Sequence, residues 1–336
     1  MPLPPIAITM GEPSGIGGEL TLSAWRSRRA SGPAFIALDC PDRLAALARR
    51  LGVEAPIREA TPETAADIFP HALPVLPRPL AHPVEPGRPT TAQAKAAIAS
   101  IEEATKLAVA GRVAALVTNP VYKRSLYDAG FAYPGQTEFV GALTDPAAQP
   151  IMLLAGPQLR VAPLTTHVPL VEAIASVSVE KIVRLGAGLA RGLAQVFGCT
   201  PARIAVAGLN PHAGEEGKMG REEIDVIGPA VAALREAGVA ATGPFSPDSM
   251  FHASARAEYD AALCMYHDQA LIPLKTLDFQ SGVNVTLGLP VVRTSPDHGT
   301  AFDIAGKGLA DPSSFLAALD LAAEIARRRA SCRRAS

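Results

Sequence analysis

Short apolar runs alternate along this chain with longer alanine-rich stretches of helical spacing. IAITM (6–10), AFIAL (34–38), VAALVT (113–118), IMLLA (151–155), LRVAPLTT (159–166), RIAVAGLN (203–210) and AALCMY (261–266) have the length and branching of buried strands. Residues 90–111 carry threonines at the start, apolar positions at 98, 101, 107 and 109, and a closing glycine, which is a helix pattern. Segments 171–197, 222–237 and 313–329 have the same character. Such alternation predicts an α/β fold with a largely parallel sheet. Aromatic residues are only 5% against 48% hydrophobic, so the core must be aliphatic. A chain of 336 residues suits about two domains. Prolines at 70, 74, 77, 79, 83, 86 and 89 mark an extended or edge segment, because apolar residues persist through it.

Charge excludes several partners. The 31 basic and 32 acidic side chains leave a net charge of −1, which gives no electrostatic case for nucleic acid or an anionic membrane. No apolar stretch approaches the roughly 18 residues of a membrane span. The start, MPLPPIAITMGEP, lacks the charged and apolar regions of a signal peptide. Cys40, Cys199, Cys264 and Cys332 are scattered without a CxxC pair, so neither a disulfide framework nor a thiolate metal site is expected. The expectation is a cytoplasmic protein. The basic stretch ARRRASCRRAS reads as a solvated helix end.

Three of the expected strands lead to histidine. LRVAPLTTH reaches His167, RIAVAGLNPH reaches His212 and AALCMYH reaches His267, at intervals of about one βαβ unit. Parallel strands recurring at that interval deliver their ends to one sheet edge, where open α/β sheets bind ligands. A single such histidine is ordinarily a strand-end residue bonded to a carbonyl. Three together suggest a catalytic site for zinc, cobalt or nickel, with magnesium less suited to nitrogen ligands. Asp268 adjoins His267 and can orient an imidazole or accept a proton. Lys275, Asn284 and Arg293 follow, a set that suits an anionic substrate.

Longer blocks now add to this pattern. TMGEPSGIGGE, TTH, GLNPHAGEEGKMGREEID, MYHDQALIPLK and GVNVTLGLPVVRTSPDHGTAFDIAG together resemble the 4-hydroxythreonine-4-phosphate dehydrogenase family of pyridoxal phosphate synthesis, over residues 5–325 or so. The resemblance implies an isocitrate/isopropylmalate dehydrogenase-like α/β fold: two α/β/α lobes with a cleft between them. The expected lobes are 1–120 plus 275–336, and 121–274, the second carrying most of the metal site. It also implies a homodimer with a composite active site, in which a divalent metal (zinc, cobalt or magnesium) is held by His167, His212 and His267 drawn from both subunits. Gln136, Thr137, Lys275, Asn284 and Arg293 are the implied contacts to a small phosphorylated amino-acid substrate.

The stretch from Asp297 to Gly308 is similar to the loop that holds the adenosine half of NAD in isopropylmalate dehydrogenases. It makes His298, Gly299, Thr300 and Asp303 candidate contacts for NAD or NADP. GEPSGIGG (11–18) lacks the glycine spacing of a dinucleotide fingerprint and the lysine of a P-loop, so it reads as a shaping turn. Two positions depart from the family's pattern. Gln136 stands where a histidine is usual, and glutamine can donate a hydrogen bond but cannot become cationic. Tyr122 also replaces a common histidine.

The chemistry implied is metal-assisted oxidation of 4-phosphooxy-L-threonine at C3, followed by decarboxylation to 3-amino-2-oxopropyl phosphate. Asp268 or Asp248 is the expected base, and Lys275 protonates the product carbon or neutralises charge. Rival readings are oxidation of 4-phosphothreonate, 4-phosphoerythronate or a cis-diol, which Gln136 keeps open, and a metal hydrolase using the same histidines.

Overall fold

The computed structural model describes residues 3–145 and 147–335. The chain divides into two compact units, Met1–Pro150 with Leu289–Ser336, and Ile151–Gly288. The discontinuous first unit was expected to end at 120 and resume at 275. The divisions instead fall later, because residues 121–150 belong to the first core: Leu126, Phe131, Phe139 and Val140 are buried there with Leu116, Ile101 and Leu289.

The first unit begins β1 (Ile6–Thr9), α1 (Gly17–Arg28), β2 (Phe35–Asp39), α2 (Pro41–Arg50), β3 (Ile57–Glu59) and α3 (Pro62–Ile68). It continues through β4 (Leu73–Pro77), α4 (Thr91–Val109), β5 (Leu116–Val117), α5 (Lys123–Asp128) and α6 (Gln136–Thr144). The second unit contains β6 (Ile151–Ala155), β7 (Arg160–Pro163), α7 (Leu170–Ala175), α8 (Val179–Phe197), β8 (Arg203–Ala207) and α9 (Gly228–Glu236). Next come β9 (Ala240–Phe245), α10 (Ala253–Arg256), β10 (Ala261–Cys264), α11 (His267–Asp278) and β11 (Val283–Leu287). β12 (Arg293–Pro296) and α12 (Ser313–Ala335) return to the first unit.

Within the first unit the strand order is β3-β4-β2-β1-β5-β12, and every pairing is parallel. Within the second it is β11-β6-β7-β10-β8-β9, with β11-β6 and β6-β7 antiparallel and the rest parallel. The α/β expectation therefore holds, although antiparallel pairs interrupt the second sheet. The proline-rich segment is extended where Pro74 and Pro77 lie in β4, one of the two expected alternatives, but β4 is no edge: it pairs with β2 on one side and β3 on the other. β3 is the edge, which leaves β4 inside the sheet.

Helix positions follow local chemistry. α4 starts at Thr90, whose hydroxyl accepts from Gln93 N while the Gln93 side chain accepts from Thr90 N. Reciprocal capping of this kind satisfies two otherwise orphaned donors. The 171–197 segment is two helices, since Ser178 leaves helical geometry and caps α8. α8 buries Ile182, Leu189, Leu193 and Val196, one face of a 3.6-residue period. It stops at Gly198, whose φ of 73° suits a residue without a Cβ. Residues 222–237 also divide, into a wide π-type turn at Glu223–Ile227 and α9.

Candidate active site

The first unit builds a polar cluster around Arg293, the first residue of β12. Parallel pairing sets Arg293 opposite Leu116 and Thr294 opposite Val117, so Thr118 follows within reach. Arg293 donates to Thr118 Oγ1 through Nε at 3.1 Å and Nη2 at 2.8 Å, and to Thr137 Oγ1 through Nη1 at 3.0 Å. Those partners are neutral hydroxyls, while Arg293 is only 4% exposed. Burial pulls the guanidinium down to about 10, against a smaller upward effect of Glu138. Burying a guanidinium costs free energy that an anion in contact with it would offset.

Thr137 and Gln136 open α6, so the guanidinium stands beside a helix N-terminus, where backbone N–H groups favour negative charge. Gln136 Nε2 donates to Asn119 O at 3.3 Å, and Gln136 Oε1 is buried without a partner. Asn119 in turn donates to Thr9 O and Thr21 Oγ1, leaving its own Oδ1 buried and unbonded. Orphaned polar atoms of this kind are uncommon in folded proteins and mark places where a ligand or water completes the bonding. Thr118 and Asn119 are members that sequence reasoning did not assign. Only the β5–β12 register reveals Thr118 as an arginine partner, and a lone sequence does not specify that register.

The loop after β12 keeps the expected cofactor candidates together along one stretch. His298 Nδ1 lies 3.2 Å from Gly299 O, and its Nε2 is buried without a partner. Asp303 and Gly299 are exposed. Thr300 O accepts from Ile16 N at 3.1 Å. A Cβ on Gly15 would meet that oxygen at 2.9 Å, so the GEPSGIGG turn is a bed for this loop. Glu19 clasps the far end, accepting from Gly306 N and from Gly308 N. Tyr122, the second departure from the family's pattern, packs edge-to-face on Phe302 at 5.1 Å. The polar groups on this loop fit a nucleotide: an orphaned imidazole nitrogen, a hydroxyl and an exposed carboxylate that can accept from ribose hydroxyls.

The second unit holds the histidines. β7, β10 and β8 are parallel neighbours in that order, so the chain does carry His167, His267 and His212 past the same edge. The Thr165 hydroxyl donates to Met265 O at 3.0 Å, and Leu164 N to Cys264 O at 2.7 Å, fixing the ends of β7 and β10 together. His167 and His267 consequently stand with ring centroids 5.6 Å apart. His267 Nδ1 is 2.7 Å from Asp268 Oδ1. A neutral imidazole that donates Nδ1–H to this carboxylate presents Nε2 as the lone-pair donor, the usual orientation of a metal-binding histidine.

His212 departs from the expected convergence. It begins a turn in which five successive residues, His212 to Glu216, have φ between 43° and 80°. Among the described residues no three His, Cys, Asp or Glu side chains come close enough to hold a metal. One chain thus provides an imidazole pair. Glu223 fixes the turn: its Oε1 accepts from Leu209 N and Asn210 N, both at 2.7 Å, and its Oε2 from Asn210 Nδ2 at 3.0 Å. Burial pushes the Glu223 carboxyl up, but these bonds outweigh it and hold it below the ordinary range. Gln269 ties the β8 end to the β10 end, accepting from Met265 N at 2.6 Å and donating to Gly208 O at 2.7 Å. Neither Glu223 nor Gln269 is apparent from sequence.

The other candidates fall unevenly. Asp248 is exposed in a turn after β9 and accepts from Ser246 Oγ at 2.6 Å, whereas Asp268 is the carboxylate seen on an imidazole. Lys275 Nζ lies 5.9 Å from the Phe279 ring, one turn along α11. Asn284 Oδ1, on β11, is another buried atom without a partner.

Largely parallel sheets with polar clusters at their strand ends, a desolvated arginine and an imidazole pair with a carboxylate on one ring fit an α/β enzyme for a small anionic substrate. Residues 39–322 match the family model of pyridoxal phosphate biosynthetic protein PdxA. The 4-hydroxythreonine-4-phosphate dehydrogenase of Caulobacter vibrioides is 51% identical over 330 residues, covering 97% of this chain and 98% of that protein. Among solved structures, the 4-hydroxythreonine-4-phosphate dehydrogenase of Klebsiella pneumoniae superposes with a TM-score of 0.86 at 39% identity, covering 96% and 99% of the two chains. A terephthalate 1,2-cis-dihydrodiol dehydrogenase from Burkholderia xenovorans aligns with a TM-score of 0.63 at 27% identity, over 96% and 98%. The chain belongs to the PdxA family of pyridoxal phosphate biosynthetic proteins.

Proposed function

We propose that this chain is the cytoplasmic dehydrogenase that oxidises C3 of 4-phosphooxy-L-threonine with NAD or NADP and releases carbon dioxide, giving 3-amino-2-oxopropyl phosphate. The observation that carries this reading is Arg293, buried and bonded to the first turn of α6, a seat for the substrate phosphate. Gln136, Thr137 and Asn284 orient the phosphate and carboxylate by hydrogen bonds donated from amide N–H and hydroxyl groups. His167, His267 and His212 would hold a divalent metal (zinc, cobalt or magnesium), which would supply Lewis acidity to the C3 hydroxyl. Asp268, with Asp248 as the alternative base, would accept the hydroxyl proton, and bound NAD or NADP would supply the hydride acceptor. Lys275 returns a proton to the carbon that carbon dioxide leaves. His298, Gly299, Thr300 and Asp303 hold the dinucleotide.

The imidazole pair of one chain supports a homodimer in which His212 comes from the second copy. Apolar side chains surround the pair on the surface: Val168, Leu170 and Val171 follow His167, while Ile272 and Phe279 accompany α11. Val171 is 73% and Phe279 75% exposed, and such exposed apolar side chains suit a protein contact. Lobe boundaries at 150 and 288 are preferred to those at 120 and 275.

A second reading, oxidation of 4-phosphothreonate or a cis-diol, draws on Gln136 and on the 27% identity to the cis-dihydrodiol dehydrogenase. The deciding experiment is steady-state NADH formation from 4-phosphooxy-L-threonine and from 4-phosphothreonate, with metal content measured in parallel. Turnover of the first substrate is expected. Turnover of only the second transfers the assignment, and reduced nicotinamide from neither, with either cofactor, overturns a dehydrogenase.

A further inference from the structure

The turn at residues 11–18 and the glutamate that follows it have no part in the roles above. Glu19 stands in the first turn of α1 and is 5% exposed. An acidic residue there suits the helix dipole, which asks nothing of any distant segment. Its oxygens are nevertheless taken by one. Oε1 accepts from Gly306 N and Oε2 from Gly308 N at 3.0 Å, amides 287 and 289 residues further along the chain. A carboxylate is costly to bury unless its oxygens are bonded, and these amides supply the bonds. Gly306 and Gly308 have φ of 74° and 69°, the left-handed region that favours glycine, and in that geometry both N–H groups reach one carboxylate.

Other bonds hold the same loop. Asp297 N donates to Ser314 Oγ at 3.1 Å, Ile16 N to Thr300 O at 3.1 Å, and Arg50 Nε to Gly306 O at 3.0 Å. The N–H groups of Ile304, Ala305 and Lys307 bond to carbonyls three residues back, which folds the stretch into successive turns. Loops at a protein surface ordinarily carry few such bonds and move. Gly299 and Asp303 are exposed, yet the backbone on both sides of Asp303 is tied to the turn and first helix of the chain. Exposed side chains on a bonded backbone are the arrangement of a surface shaped in advance.

We propose that Glu19 is a positioning residue for the dinucleotide: its clasp on Gly306 and Gly308 fixes the 297–308 loop in its binding form before any ligand arrives. Glu19 acts through the loop and touches no reacting atom. The proposal rests on the dinucleotide reading above. Because the loop is ordered during folding rather than on binding, the clasp shows in dinucleotide affinity and not in the chemical step.

Hydrogen exchange of the 297–308 amides in the unliganded enzyme, and calorimetric titration with NAD and with NADP, test this on the intact wild type and on the Glu19→Gln and Gly308→Ala variants. Glutamine keeps the shape of the side chain but sets an NH2 against a backbone N–H. The Gly308→Ala methyl would meet only Leu51 Cδ2, at 3.5 Å, so it strains the φ of 69° without overfilling the core. In each variant the loop amides should exchange about ten-fold faster or more, and the dinucleotide should bind about ten-fold more weakly. The KM of the dinucleotide should rise in step, while kcat at saturating dinucleotide and the KM of the phosphorylated substrate stay within about two-fold. A fall in kcat together with a rise in both KM values would mark Glu19 as a structural residue only and overturn the proposal. Loop exchange unchanged in both variants overturns it as well. Faster exchange with unaltered dinucleotide affinity removes the positioning role alone and leaves the dinucleotide reading standing. A wild type that binds neither NAD nor NADP removes that reading, and the positioning role falls with it.

Discussion

The Arg293 cluster and the His167–His267 pair are built on opposite terms. Arg293 is buried, its nitrogens are engaged by Thr118 and Thr137, and everything around it comes from one chain's sheet and helix. His167 is exposed, stands at a positive φ of 48°, and has one imidazole neighbour. One cluster is finished by folding. The other stands at the surface. Anion recognition needs preorganised donors in a dry place, while the proposed metal shared between subunits would need ligands that remain reachable until assembly.

The sharpest way to break this contrast is to remove one member from each side. His267→Ala should abolish measurable metal and lower kcat by more than about 100-fold, with a melting temperature close to wild type, because a half-exposed imidazole is no core staple. Metal analysis and calorimetric melting check both halves, and full turnover without added metal would end the scheme. Arg293→Ala should act oppositely. It should lose about 2–4 kcal/mol of stability through a buried void and unpaired hydroxyls, and raise KM for the phosphorylated substrate by about 100-fold. Arg293→Lys should recover stability more than KM, since an ammonium cannot span both threonines.

Assembly sharpens the comparison further. Mixing His212→Ala with His267→Ala subunits, through unfolding and refolding, should restore about a quarter of wild-type activity. Half of the dimers are then hybrids with one intact site of two. No recovery would mean that His212 acts within its own chain or not at all. Asp268→Asn should weaken metal affinity by about 10–100-fold while leaving the Arg293 cluster intact, which phosphate binding would report.

Smaller effects come from the His212 turn. Glu223→Gln should cost about 2 kcal/mol near neutral pH, because a carboxylate accepting from Leu209, Asn210 and its side chain is exchanged for an amide. The Glu223 carboxyl is held below its usual 4.5, so its contribution is complete above that value and is lost as pH falls through the lower folded one. Denaturation of both proteins across the acid range should show the difference closing. Glu216→Gly should gain about 0.5–1 kcal/mol, since a φ of 54° strains a side chain and suits glycine. An unchanged melting temperature would show that the turn stores no strain.

Sequence periodicity located the strands whose residues are continuously apolar, such as Phe35–Asp39 and Ile151–Ala155, and the long helices with a clear buried stripe. It passed over β4 because Pro74 and Pro77 suggest an edge, and over β11, VNVTL, because Asn284 and Thr286 break the apolar run. Tertiary placement decided both. The parallel order β7-β10-β8 carries the three histidine-bearing segments past one edge, as the strand spacing suggests, while only His167 and His267 stand together. What spacing could not show is that the chain leaves the β8 edge through a left-handed turn, a matter of backbone geometry fixed by Glu223 several residues away. Thr118, Glu19 and Gln269 escaped notice for the same reason: their partners, Arg293, Gly306 and Gly208, are distant in sequence and met only through register.

That β12 lies beside β5, with Arg293 opposite Leu116, also fixes an order of events during synthesis. The 138 residues of the second unit, Ile151–Gly288, emerge from the ribosome after β5 and before β12. The first sheet therefore waits, with the flank of β5 uncovered, until the second unit has been made in full. Arg293 and the loop that Glu19 grasps arrive only with the closing strand and the segment after it, so neither the arginine cluster nor the clasped loop exists on a nascent chain that stops at Gly288. With Arg293 as the proposed phosphate seat, competence for substrate is a signal of completion: a chain truncated there can build the imidazole pair but lacks the arginine of that seat.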